Sequence, residues 1–446
     1  MSIYKDCDIR GIYPTEITED ASYKIGRALA TMNPGATLRV GGDVRVSTPA
    51  LKEALIRGLV ESGATVYDLG ITPTPALYYA LANSDVTGGA TVTASHNPPK
   101  YNGIKFMIGH TPVNRQVIDA LKAVVDSGEY ASVIGSVIPC PIMPEYMASL
   151  KKRFTAKKPL HVVVDAGNGA MSDYAPEAFR QSGYNVTELF CTPDGTFPNR
   201  DPNPAEYKHL SALCAKVKEA GADFGVAFDG DGDRAVFVDE TGTAVINEKS
   251  LVLFIRTLLK DNPTPVVYDQ KSSSAIKKAT LAMGGEPVPE RSGHAFIKRH
   301  FLEVGAAVAG EVSGHFFFGE LGYDDGLFAA LMMADIIASS GKTLSQLTAD
   351  IVCPPITPDL RMFCPYSEQT AWLDRIEALA KDHPCEVAHL DGVRLEFEDG
   401  WLLARKSVTA EQITLRAEAE TPERLNALLE LVASVLPESA RESIFA

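Results

Sequence analysis

Leu38-Arg39-Val40-Gly41-Gly42-Asp43, His161-Val162-Val163-Val164-Asp165 and Pro265-Val266-Val267-Tyr268-Asp269 are three apolar runs that each end on an aspartate, recurring about every hundred residues. Each has strand length. After each comes a stretch with apolar residues at helical spacing, as in Ala50 to Val60. A glycine then closes the helix: Gly63, Gly183, and either Gly284 or Gly285. A short second strand follows, as in Ala64 to Leu69, and a third strand leads into a polar loop. Strands alternating with helices predict α/β domains on mixed, largely parallel sheets. Ligands of such sheets gather outside the carboxyl ends of the strands, so three such loops facing one central cleft is the expected architecture.

In the first copy, Gly88-Gly89-Ala90-Thr91-Val92 runs into Thr93-Ala94-Ser95-His96-Asn97-Pro98-Pro99. Neither proline has an N–H, which bars an early helix and leaves Ser95 on a rigid loop with a hydroxyl, an imidazole and an amide around it. Ser-His-Asn-Pro is also ordinary turn chemistry, and the second copy decides between the readings. There the loop is Asp229-Gly230-Asp231-Gly232-Asp233-Arg234, three carboxylates at alternate positions with glycines that let the backbone fold tightly. An EF-hand calcium loop comes close, since Asp229, Asp231, Asp233 and Glu240 fall at its positions one, three, five and twelve. Arg234, however, stands where that loop needs glycine, and the flanks Phe224 to Phe228 and Ala235 to Val238 are strand-like. Few ligands and an adjoining arginine fit Mg2+ shared with a phosphate oxygen better. In the third copy, Gly305 to Ala309 leads into Gly310-Glu311-Val312-Ser313-Gly314-His315. Asp165-Ala166-Gly167-Asn168-Gly169 lacks the full dinucleotide fingerprint and reads as a structural strand-to-helix turn.

The last part of the chain differs. Gly392 to Phe397, a Glu398-Asp399-Gly400 turn and Trp401 to Arg405 predict a hairpin, Ile413 to Ala419 another strand, and Pro422 to Leu436 an amphipathic helix capped by Thr421. The chain thus divides into α/β domains at 1–142, 143–243 and 244–353 and a smaller C-terminal α+β domain at 354–446.

At 446 residues with 45% apolar and 22% charged content, the chain is an ordinary globular protein of several domains. A net charge of −15 argues against a nucleic-acid or anionic-membrane surface, so an anionic ligand would need a local basic pocket. Seven scattered cysteines point to reduced thiols in the cytoplasm. Charges at Lys5, Asp6, Asp8 and Arg10 leave no signal peptide, and the apolar stretch Leu327 to Ala338 is broken by Asp335 and too short to span a bilayer. A soluble cytoplasmic protein, monomer or dimer, is the expectation.

Together these motifs resemble the α-D-phosphohexomutase family, which includes phosphomannomutase and phosphoglucomutase, in the right order over essentially the whole chain. The resemblance implies four domains around a cleft, a phosphoserine, one Mg2+, and a sugar phosphate whose phosphate moves between C1 and C6 through a hexose 1,6-bisphosphate that also serves as activator. Carried over by motif, Ser95 is the phosphoserine and, with Asp229, Asp231 and Asp233, a metal ligand. Glu311 and Ser313 hold sugar hydroxyls. Arg10, His96, Lys105, Arg234, Lys271, His294 and His315 join the catalytic set, with Lys105, His294, His315 and Arg10 unranked as general acid and base. Lys298, Arg405, Ser407 and Thr409 bind substrate. The family's last phosphate loop has the form Arg-x-Ser-Asn/Gly-Thr, whereas this chain reads Arg405-Lys406-Ser407-Val408-Thr409-Ala410-Glu411, with Val408 in place of the amide or glycine. Cys7 stands where relatives often carry an aromatic residue. Glu311-Val312-Ser313 is nearer to the mannose and glucose enzymes than to the phosphoglucosamine mutases, which remain the alternative, ahead of a phosphosugar-binding protein without turnover.

Overall fold

A computed structural model describes residues 2–407 and 411–445. Its first three sheets repeat one topology. The strand that ends on the aspartate lies between two parallel neighbours: Thr37–Gly42 between Thr65–Ile71 and Gly88–Val92, His161–Asp165 between Asn185–Leu189 and Phe224–Phe228, and Pro265–Asp269 between Glu286–Glu290 and Val308–Gly310. A fourth strand returns antiparallel on the third: Tyr101–Ile108, Ala235–Asp239 and Phe316–Phe318. The loop between third and fourth strands is therefore the same place in all three copies, and it carries Ser95, the aspartate cluster or Glu311. The strand flanks exclude the EF-hand geometry around Asp229.

The terminal aspartates act alike. The Oδ1 atoms of Asp43, Asp165 and Asp269 accept the backbone N–H two residues on, from Arg45 (3.0 Å), Gly167 (2.8 Å) and Lys271 (2.9 Å). This side-chain turn takes the chain out of the strand and towards the next helix. The helices end as read, on left-handed Gly63, Gly183 and, in the third copy, Gly284. The turn at Asp165 to Gly169 serves as a platform: Ala170 N–H donates to Gly230 O at 2.9 Å.

An apolar core from Leu69 to Ile351 takes in parts of all three domains, beside a separate core in each, with Ile9, Val163 and Val267 among their members. The helix Gly326–Ser340 lies within the shared core and is buried without interruption from Gly326 to Ala334, which accounts for the apolar stretch. Among the described residues no helix is long and apolar enough to cross a membrane. The start of this helix abuts the aspartate loop, with Asp325 Oδ1 capping the N–H of Phe328 at 2.9 Å. The fourth sheet is wholly antiparallel, in the order Leu360–Phe363, Gln412–Ala419, Gly400–Lys406, Val393–Phe397, Glu386–Ala388. Helices Gln369–Ala378 and Pro422–Val435 belong to its own core, formed from Met362 to Ile444.

A methyl group on Gly326 would lie 2.7 Å from Arg234 O and 2.8 Å from Gly232 O, both backbone atoms that cannot swing aside. Gly326→Ala is expected to cost about 1–3 kcal/mol, as overpacked sites do, measured as a lowered midpoint in denaturant unfolding.

Candidate active site

Ser95 leaves a fully buried strand with φ of 50°, a left-handed conformation that only surrounding contacts sustain in a residue with a Cβ. Arg45 supplies them. Only 1% exposed, it donates to the carbonyls of Ser95 (2.7 Å), Asn97 (2.6 Å), Pro98 (2.9 Å) and Tyr101 (3.0 Å), while its Nε donates to Asp43 Oδ2 at 3.1 Å. Asp43 also accepts from Thr48 and Thr93 hydroxyls, and Thr93 Oγ1 in turn accepts the N–H of Ser95. Burial raises the Asp43 carboxyl above its ordinary value and lowers Arg45 from its own, the pairing of each with the other pulling back.

The Ser95 hydroxyl donates to Asp229 Oδ2 at 2.7 Å across the boundary between the first two domains. Asp229, Asp231 and Asp233 are all 0% exposed. Three carboxyl groups so placed need cations and donors, and the first domain supplies one of each. Lys105 Nζ bridges Asp231 Oδ2 (2.8 Å) and Asp233 Oδ2 (2.7 Å), and Thr74 donates its hydroxyl to Asp231 Oδ2 at 2.6 Å. Against the cost of burial, the two carboxylates hold Lys105 above its ordinary value. Asp229 goes the other way: burial, then the charges of Asp233 and Asp231, push its carboxyl well up. Among the described residues, Asp231 Oδ1 is buried with no hydrogen-bond partner, and Asp233 Oδ1 meets His315 Nε2 at 3.3 Å. Carboxyl oxygens converging at this spacing, with no sulfur among them, fit a hard divalent cation.

The third loop joins the second directly, since Arg234 and His315 pair as an isolated antiparallel bridge. His315 Nδ1 lies 2.9 Å from Ser313 Oγ and 3.0 Å from Glu311 Oε2, and its Nε2 lies 3.3 Å from Asp233 Oδ1 and from Arg234 Nε. Burial and Arg234 oppose a charge on His315, but Asp233 and Glu311 prevail and raise it to about 10. Glu311, despite its burial, is held down to about 2 by His315 and Ser313. Arg10 reaches Asn97 Oδ1 and Asp8 Oδ2, both at 2.6 Å. His96 Nδ1 is 3.3 Å from Ser95 Oγ, and burial with the cations Arg234, Arg10 and Lys105 keeps its ring neutral, well below its usual range.

Ser95, Arg10, Lys105, Arg234, His294 and His315 line one cleft of about 660 Å³, with Cys7 in its wall. Other expected site residues lie outside that lining. Lys298 is buried beneath the floor, its ammonium 3.6 Å from the centre of the Tyr78 ring. Lys271 is engaged with Asp359 (3.2 Å) and Arg405 with Asp391 (3.0 Å), both carboxylates of the fourth domain. Ser407 donates its N–H to Gln412 O at 3.0 Å, away from the cleft. Thr409, like Val408 and Ala410, lies outside the described residues.

The comparisons with known proteins agree with this geometry. The family models for phosphoglucomutase/phosphomannomutase alpha/beta/alpha domains I, II and III match residues 1–132, 144–242 and 247–353. The chain belongs to this family. It is 37% identical to a phosphomannomutase/phosphoglucomutase of Pseudomonas aeruginosa, over 95% of this chain and 93% of the relative. It is 38% identical to a phosphoglucomutase of Neisseria meningitidis, over 94% and 93%. A solved phosphoglucomutase/phosphomannomutase family protein of Burkholderia thailandensis superposes with a TM-score of 0.92 at 33% identity, covering 98% of this chain and 97% of that one.

For a phosphoglucomutase/phosphomannomutase family member, three residues at the site escape a motif reading. Arg45 carried one signal, its place two positions after a strand-ending aspartate. Asp324, which holds His294 from behind, had only the doublet Asp324-Asp325 before a helix. Thr74 had none, because its contact with Asp231 spans 157 positions. Removing Arg45 would strand four carbonyls and the buried Asp43 charge. Arg45→Met is therefore expected to lose about 3–5 kcal/mol of stability, the range for breaking a buried ion pair, read by denaturant unfolding.

Proposed function

We propose that the chain interconverts hexose 1-phosphate and hexose 6-phosphate, of mannose, glucose or both, through phosphorylated Ser95 and a hexose 1,6-bisphosphate. The observation that supports this best is the Ser95 hydroxyl 2.7 Å from a buried carboxylate of the aspartate cluster, in a cleft that Arg10, Lys105 and Arg234 also line. An isolated nucleophile would not need that company; one that carries a phosphoryl group does.

In the first half-reaction the P–O bond to Ser95 breaks and a P–O bond to the sugar hydroxyl forms. The sugar proton passes to a base in the cleft, and Ser95 Oγ recovers a proton as it leaves. The bisphosphate then presents its other phosphate, and the steps reverse. Mg2+ on Asp229, Asp231 and Asp233, when bound, supplies positive charge to the transferring phosphate. Arg234 and Lys105 stand beside those carboxylates and add theirs. Arg10, with one guanidinium nitrogen on Asn97, carries the same charge to the serine loop. The left-handed turn fixed by Arg45 holds the hydroxyl in place through both steps, which is positioning rather than chemistry. Arg405, Ser407 and Thr409 grip the phosphate that is not reacting, from a domain with its own core.

A coupled assay on mannose 1-phosphate and glucose 1-phosphate, with Mg2+ and a trace of glucose 1,6-bisphosphate, tests the reading. Turnover is expected on at least one sugar, abolished by EDTA. Ser95→Ala is expected to lower kcat by on the order of 10³-fold or more, as deletion of a nucleophile does. Near-normal turnover of that variant would rule out the covalent role, and activity on glucosamine 1-phosphate alone would move the substrate to the amino sugar.

A further inference from the structure

Beneath the floor of the active cleft lies a second cavity, of about 270 Å³. Tyr78 and Met107 line both spaces and so form the partition between them. The rest of the lining is largely apolar, with Leu81, Leu302 and Leu321, while the exposed His110 adds a ring nitrogen. Lys298 is the exception in this wall. Its side chain is only 1% exposed, yet its ammonium meets nothing but the Tyr78 ring, 3.6 Å from the centre, and Met107 Sδ at 3.8 Å. Lysines buried this deeply are almost always paired with an anion. Among the described residues no carboxylate is within ion-pair distance of this one. Asp324, whose charge acts on it most, turns both oxygens to His294 at 2.8 and 2.9 Å. Burial accordingly lowers the Lys298 ammonium to about 8, with Asp324 pulling back only in part.

We propose that this cavity is a binding site for a small organic monoanion, a carboxylate with an apolar body, and that Lys298 is its counter-charge. One fixed cation balances one negative charge. A phosphate dianion would bring more charge and more lone pairs than Lys298 and His110 can meet, and the leucines would offer it nothing. A carboxylate on a ring or short carbon chain suits both halves of the lining, its oxygens on the ammonium and its carbons on Leu81, Leu302 and Leu321. The face of an aromatic ring holds a cation less firmly than a carboxylate oxygen does, so the ammonium can exchange Tyr78 for such a ligand. Small-molecule sites begin near about 300 Å³, which limits the body here to roughly a single ring. The sugar phosphate belongs to the other side of the Tyr78 and Met107 partition, and the two ligands need not compete.

Benzoate is the probe, with benzamide as its uncharged counterpart and methyl NMR of the full chain as the readout. Benzoate is expected to bind saturably. Its ring protons should give NOEs to the methyls of Leu302 and Leu321, which line this cavity, and none to Leu77, which lines the cleft. Benzamide is expected to bind at least about tenfold more weakly. Lys298→Met should weaken benzoate by about ten- to a hundredfold, as loss of a charge-assisted hydrogen bond does. Methionine puts an apolar chain of similar length in place of a buried charge, which interiors tolerate. Ala82→Trp, at the exposed end of the helix Thr74–Ala82, fills the cavity from outside and is expected to abolish binding with the thermal midpoint kept. Binding is read directly, so the outcome is independent of the mutase reading. No saturable benzoate binding, equal affinity for benzamide, NOEs to Leu77 in place of Leu302 and Leu321, or undiminished binding in both variants would each overturn the proposal.

Discussion

Three carboxylates removed from water within a few ångströms of one another would unfold an ordinary loop, and the rest of this structure is arranged so that they do not. Isolated buried charges carry a desolvation cost of several kcal/mol each, so the counter-charges must be close and fixed. The counter-charges are Lys105 from the first domain, His315 from the third and the loop's own Arg234, with the Thr74 hydroxyl of the first domain as a further donor. The cluster is thus a reason for the domains to dock as well as a place for chemistry. A cation would relieve that cost, since Asp231 Oδ1 is buried with no hydrogen-bond partner among the described residues.

The repeat was legible because it is written in local terms. An apolar run, an aspartate, a helix and a positive-φ glycine are all features of consecutive residues, and the aspartate's turn recurs with the same atom and the same offset in each copy. Ser95 and the Asp229 cluster were legible because glycines and prolines punctuate their loops. Arg45, Thr74 and Asp324 were not, since each acts on a partner distant in sequence, and a single arginine, threonine or aspartate on a helix or strand end carries no spacing to read. Lys298 shows burial that its motif did not signal: the side chain lies beneath the floor with its ammonium over the Tyr78 ring.

The cations divide by domain. Those of the first two domains face the cleft and are set by short contacts with the serine and aspartate loops. Lys271 and Arg405 instead rest on Asp359 and Asp391, carboxylates that occupy them at 3.2 and 3.0 Å.

The apolar core shared across the boundaries of the first three domains has a bearing on how such a protein can diversify. A unit joined to its neighbours in this way is not readily exchanged singly, because the boundary is lined by side chains fitted to the next. The fourth domain keeps its own interior. Alterations within that interior therefore disturb the shared core of the other three less.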